Sequence, residues 1–311
     1  FHLNPKLSTV ILAHYEDQFK KHDENGDGFI DKPAVRQGHL DNRWVYLGDK
    51  YIFHGGISAL LEKRESGQAH DHEAYPAGID ASSSAGDMYK NHPARYKIGI
   101  DTKRYEGYMK HAYVIDKEKG MNIALMTSAS MHELDANYGL KTYDINEKNL
   151  YASLIFETSF TKMHNLSAGL SLNHDYLKQH YFLNDINQVK YQLDEKETVP
   201  GAYAQYTFDW NHKIMAMAGF RIDHSSTYGT FYTPRFNVKF TPAQFFTLRL
   251  SVGKAYRSVH AFAENNYLFA SGRTFSVDPL DQEKAWNYGA TTAWNFQLFG
   301  RLLKLNVEYF Y

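Results

Sequence analysis

The stretch DENGDGFID, Asp23 to Asp31, is the best-defined arrangement of chemistry-bearing side chains in this sequence. Asp23, Asn25 and Asp27 take positions one, three and five of a calcium-type loop, with Gly28 at six, the Phe29 carbonyl at seven and Asp31 at nine. A hard cation needs several oxygens, and alternate residues turning about one glycine supply them. Position twelve, however, is Ala34, where such a loop carries a bidentate glutamate, and the flanking residues read as strands. Calcium is one expectation; a solvated Asx/Gly turn without a cation is the other. His70, Asp71, His72 and Glu73 are ligand types that suit a transition metal, but adjacent residues fix no geometry, and a solvated loop accounts for them. Asp223, His224 and Ser225 have the residue types of a nucleophilic relay, yet neighbours on a strand point to opposite faces and cannot make its hydrogen bonds. Gly253 and Lys254, within SVGKAYRS, lack the earlier glycine and the spacing of a phosphate-cradling loop. No enzymatic signature survives.

A broader candidate surface is the long connection from Ser258 to Glu283. Arg257, Glu264, Asn265, Asn266 and Arg273 offer charges and amides that could orient a ligand, while Tyr267 and Phe269 offer contact area. Packing of this loop against lipopolysaccharide is the alternative. Arg221, Asp223, Arg235 and Arg249 form another set, placed by strand parity on the side opposite the greasy residues.

Composition narrows the possibilities. Aromatic residues make up 15% of the 311, with 24 Tyr and 20 Phe. Mean hydropathy is nevertheless negative, and no run approaches the roughly 18 apolar residues of a spanning helix. The formal net charge of −1 leaves no basic excess to neutralise phosphates, which excludes a nucleic-acid partner bound by counterion release. With no cysteine there is no disulfide framework or thiolate site.

The elements that must carry these residues are strands. In AWNYGATTAWNFQLF, Ala285 to Phe299, the even positions hold Trp286, Tyr288, Trp294 and Phe296 while small and polar residues fill the odd ones. Similar alternation recurs through Leu7–Tyr15, Phe53–Leu61, Ile123–Met131, Leu150–Phe156, Leu166–Leu172, Ala202–Trp210 and Phe246–Val252. Counting weaker runs gives about thirteen strands of roughly ten residues, the length a tilted strand needs to cross a bilayer. Short turns, as at Gly48–Lys50 and Thr161–Asn165, alternate with long connections at Lys20–Gly38, Ser66–Pro93, Glu133–Asn146, Leu183–Thr198 and Val259–Glu283. Such polarity is that of an antiparallel transmembrane barrel, with lipid outside and a wet or plugged lumen lined by charge. A soluble sandwich with rings in its core is the competing fold.

From Pro200 onward the sequence resembles the barrel of TonB-dependent outer-membrane receptors. PGAYAQYTF, AGFRIDHSSTYG, TPRFNVKFTP, LRLSVGKAYRS, ENNYLFASGR and QEKAWNYG carry the likeness, and NRWVYLGDKYIFHGG, KIGIDTKRYEGY and EKNLYASLIFE extend it upstream. The resemblance implies an all-β chain, residues 1–311, forming about 13 strands of a barrel of about 22 and open because the chain is a fragment, with the plug domain and the C-terminal strands absent. It also implies a cell outer membrane of the Gram-negative type, TonB as partner through the plug, and active uptake of a small-molecule or metal-chelate ligand: a ferric siderophore, haem, cobalamin or a glycan. A passive porin, which would carry an inward constriction loop, and a surface adhesin are the alternatives. An outer-membrane lipid-modifying enzyme would need an outward Ser/His pair, and none is found.

Overall fold

The computed structural model describes residues 1–69, 96–184, 188–273, 275–276 and 280–311. Its strands are β1 (His2–Asn4), β2 (Leu7–Gln18), β3 (Ala34–Leu47), β4 (Tyr51–Gly67), β5 (Lys97–Asp116), β6 (Met121–Tyr138) and β7 (Lys141–Thr161). They continue as β8 (His164–Leu183), β9 (Lys190–Trp210), β10 (Ile214–Ser225), β11 (Gly229–Ala243), β12 (Phe246–Arg257), β13 (Glu283–Leu298) and β14 (Arg301–Phe310). All 14 form one antiparallel sheet in sequence order, with β1 and β14 as unpaired edges. The sequence reading finds thirteen of these and misses β1, whose three residues are too few to show alternation.

The short turns at one end are built for tight reversal. Asn211 and His212 have φ of 50° and 58°, and the Lys213 N–H donates to the Trp210 carbonyl at 2.9 Å. Two consecutive positive φ values give the turn whose twist matches that of paired strands. Phe299 and Gly300, at 49° and 73°, do the same between β13 and β14.

Residues directly opposite on neighbouring strands share a face, so each hydrogen-bonded row can be followed across the sheet. One row runs Leu125, Leu154, Leu170, Ala202, Ile222, Tyr232. On the reverse face a row runs His54, Lys110, Met126, Ser153, Ser171, Gly201, Asp223. The first surface is apolar, the second polar.

Two expected long connections are corrected. Glu133 to Asn146 is not a loop: β6 and β7 stay paired to Tyr138 and Lys141 and turn at Gly139 and Leu140. Likewise β8 and β9 pair up to Phe182 and Lys190, which removes most of the expected loop from Leu183 to Thr198. Strands thus reach 21 residues, about twice the expected length. The physical reason lies in parity. In β6 the apolar side chains sit at odd positions from Ile123 to Met131, then at even ones, Leu134, Ala136 and Tyr138. In β7 they change from Tyr143 and Ile145 to Leu150, Ala152 and Leu154, and in β8 from Leu170 and Leu172 to Leu177 and Tyr181. No register shift occurs at these places, so the apolar side genuinely changes faces. On the short-turn side of the change it lies on the outer face of the sheet; above the change it lies on the inward face that the β12–β13 connection covers.

What the upper, inward apolar surface meets is the connection between β12 and β13. Its short helix α1 (Ala261–Glu264) and the following 3-10 turn Asn266–Ala270 bring Phe262 and Phe269 down onto Leu134, Tyr138, Tyr143, Leu177 and Tyr181. Phe269 lies 4.8 Å from Tyr143 and 5.0 Å from Tyr181 between ring centroids. This is the molecule's main buried cluster.

Candidate functional site

The inner wall carries charge in a repeated form. On four strands an arginine pairs with a carboxylate two residues away, hence on the same face: Arg43 with Asp41, Arg64 with Glu62, Arg104 with Glu106, and Arg221 with Asp223. The Nε to carboxylate distances are 2.8, 2.6, 2.7 and 2.6 Å. Arg221 also donates to Ser171 Oγ at 2.7 Å. Gly201 stands opposite Asp223, and a Cβ there would collide with the Asp223 carboxylate and the Arg221 guanidinium. Only glycine leaves room for the pair.

Above Arg221 and Asp223 a polar cleft of about 350 Å³ opens beneath the folded connection, lined by Asp175, Glu197, Phe231, Tyr256, His260 and Gln282 among others. Asp175 and Glu197 are directly opposite across β8 and β9. Like charges in that arrangement repel. The wall offsets this by hydrogen bonding: amides of Asn149 and Asn173 donate to Asp175, and Ser225 and Ser258 hydroxyls donate to Glu197.

Several contacts hold the connection over the cleft. His260 Nδ1 lies 2.5 Å from Glu195 Oε2, and this carboxylate holds the imidazole above its ordinary pKa. The backbone N–H of His260 and the Arg257 guanidinium hold the Glu264 carboxyl below its usual range. The Lys141 ammonium is buried and donates to the carbonyls of Phe269, Ser271 and Arg273, the bonds to Phe269 and Arg273 being 3.3 and 2.8 Å. Tyr191 and Tyr96 hydroxyls add bonds to the carbonyls of Phe275 and Ala270.

The residues expected to bind ligand are divided by this geometry. Arg257 is engaged by Glu283 through two bonds of 2.8 and 2.9 Å and by Glu264 at 2.8 Å. Asn265 donates to the Ala261 carbonyl within the same turn. Asn266 opens the 3-10 turn, while Tyr267 and Arg273 are exposed. Register places Arg221, Asp223, Arg235 and Arg249 on one face, as expected from parity. Asp223, His224 and Ser225 go separate ways, to Arg221, Thr230 and Glu197. They form no relay, as their alternation on the strand requires.

In the Asp23–Asp31 loop the side chains serve the backbone. Asp23 accepts from the N–H groups of Gly26 and Gly28, Asn25 from Asp27, Asp27 from Phe29, and Asp31 from Glu24, at 2.7 to 3.0 Å. Gly26 and Gly28 take φ of 72° and 85°. Among the described residues no group of three His, Asp or Glu side chains converges on a point fit for a metal ion. His70 to Glu73 lie outside the described residues.

A family model described as TonB dependent receptor-like, beta-barrel matches residues 25–311. The chain belongs to this family. As a TonB-dependent receptor barrel it resides in the outer membrane of a Gram-negative envelope, its apolar face toward lipid. Solved structures with the same fold include the ferripyoverdine receptor of Pseudomonas aeruginosa bound to ferripyoverdine, at 12% identity and a TM-score of 0.67, covering 100% of this chain and 45% of that one. The ferric enterobactin receptor of the same organism gives 11% and 0.61, with coverages of 94% and 47%. The siderophore receptor PirA of Acinetobacter baumannii gives 13% and 0.60, with 98% and 52%. The receptor barrel described here therefore spans about half the length of these structures. No curated protein matches the chain by sequence.

Sequence reasoning missed the residues that shape the cleft: Asp175, Glu195, Glu197, His260 and Lys141. The first three fell in or beside stretches read as loops, and the parity inversion that would have kept those stretches as strands was present but unread.

Proposed function

We propose that the protein containing this chain is an outer-membrane receptor that takes up a scarce, polar small molecule or metal chelate with energy relayed by TonB. Exterior strands and the folded β12–β13 connection would receive the ligand, and a plug within the completed barrel would pass it inward. The observation that carries this reading is the polar cleft on the inner wall, roofed by a connection with its own aromatic core, within a family whose name is that of receptors. Solved relatives described as receptors for ferripyoverdine and ferric enterobactin support a siderophore-like cargo. Deleting the gene and scoring growth on single iron, haem, cobalamin and glycan sources, with and without a functional TonB, tests it. Loss on one source that a TonB deletion reproduces is the expected result; uptake that persists without TonB sinks it.

A passive pore is the second reading, because an inward-folded connection is what a porin would show. Here that connection packs on strand segments above the parity change, near the exterior mouth, rather than across the middle of the wall. Planar-bilayer recordings separate the two: a porin conducts steadily, a plugged receptor does not.

A further inference from the structure

The outward face contains a groove of about 710 Å³ among Ile57, Ala59, Tyr105, Ala129 and Met131. Its floor is Gly107, where an added Cβ would meet nothing closer than 3.9 Å. These side chains belong to the apolar, lipid-facing set, for Ile57 stands opposite Gly107, Gly107 opposite Ala129 and Tyr105 opposite Met131. At one end the groove reaches Lys148, directly opposite Met131. The same row continues through Tyr176 to Lys196, whose ammonium lies 5.2 Å from the Tyr176 ring centroid. Two strand spacings put the lysine backbones roughly 10 Å apart, flanking a ring. Both lysines are exposed, and neither forms an ion pair with any described residue. The outward carboxylates one step along, Glu133 and Asp194, are engaged by Lys103 and Gln192.

Depth identifies what these cations face. Lys148 precedes the end of β7 at Thr161 by 13 residues (161 − 148), which at about 3.3 Å per residue and a tilt of about 45° is roughly 30 Å, one hydrocarbon thickness. The same strand changes apolar parity between Ile145 and Leu150, bracketing Lys148. Ala59 is only 8 residues from the start of β4 at Tyr51, so the groove descends from headgroup level into the acyl layer.

We propose that this groove is a lipid-binding site: one acyl chain lies over Gly107, and an anionic phosphate headgroup is held between Lys148 and Lys196. The ligand is a phosphorylated, acylated lipid of the outer leaflet. Free phosphate, lacking the chain, gains nothing from the groove.

The test uses the full-length parent protein in nanodiscs of phosphatidylcholine doped with a bis-phosphorylated, hexa-acylated glycolipid, with bound lipid read by native mass spectrometry. Wild type should retain the glycolipid. Lys148→Gln combined with Lys196→Gln should weaken retention roughly 10- to 30-fold, about three- to fivefold per lysine near a charged surface. Gly107→Leu, which fills the groove from an open position while keeping both lysines, should weaken it as well. Lys239→Gln, on the opposite face, should change nothing, and millimolar inorganic phosphate should not compete. Heat-modifiable mobility in each variant confirms a folded barrel. Equal retention in all variants, or full competition by inorganic phosphate, overturns the proposal. Neither outcome bears on ligand uptake, which is read separately.

Discussion

Lys141 shows how a single side chain can fasten a long connection. Its ammonium is buried and donates to three carbonyls of the loop; a methionine of similar length would keep the packing and leave those acceptors without a donor. Each buried acceptor left unsatisfied costs roughly 1–3 kcal/mol, so Lys141→Met should speed hydrogen exchange at 261–270 by at least tenfold, with the strand core unchanged. Unaltered exchange would show the aromatic contacts suffice. His260 adds a pH-dependent fastening. Its folded pKa is raised above the usual 6.5 by Glu195, with Glu264 and Glu147 adding to the effect. The stabilisation is therefore full below about pH 6.5, the unfolded value, and is lost as pH rises through the raised folded value. Exchange at 261–270 should accelerate from pH 6 to pH 9 beyond the intrinsic rate, and His260→Gln should remove that excess.

Elements reveal both what the sequence disclosed and what it concealed. The strands inside the membrane were legible because one solvent change, lipid against lumen, imposes a single parity on Leu166–Leu172 or Ala202–Trp210. Their exterior continuations kept the two-residue period but put the greasy side inward, toward Phe262 and Phe269, so a search tuned to one parity read them as loops. The cleft was hidden for a second reason: Glu197 and His260 are 63 residues apart (260 − 197), and only the folding-over of the connection brings them into one cleft. Parity also predicts tolerance. Leu170 is 60% exposed and lies 6 residues into β8 (170 − 164), roughly 14 Å from the short-turn end and so near the bilayer midplane. Leu170→Arg should cost roughly 2–4 kcal/mol in urea unfolding of the folded barrel in vesicles, whereas Ser167→Arg, on the inner face, should cost less than about 1 kcal/mol. Equal costs would mean the two faces are misassigned.

For the molecule as a whole, neighbours in sequence are neighbours in space throughout the sheet, and pairing ends at β1 and β14. Within hydrocarbon, unpaired N–H and C=O groups cost several kcal/mol each, so the 311 residues by themselves should give no heat-modifiable folded monomer on mild SDS gels, while the parent protein should. A compact monomer from this stretch alone would require an edge-to-edge closure not present here. The family resemblance of the motifs from Pro200 to Gly289 disclosed this architecture, since barrel grammar repeated in order is specific even where each phrase is weak. Finally, the arginines at 43, 64, 104 and 221 each carry an anion on their own strand. An ion beside any of these four pairs would meet a local dipole instead of a bare monopole, so the field of each arginine fades within a short distance of the wall.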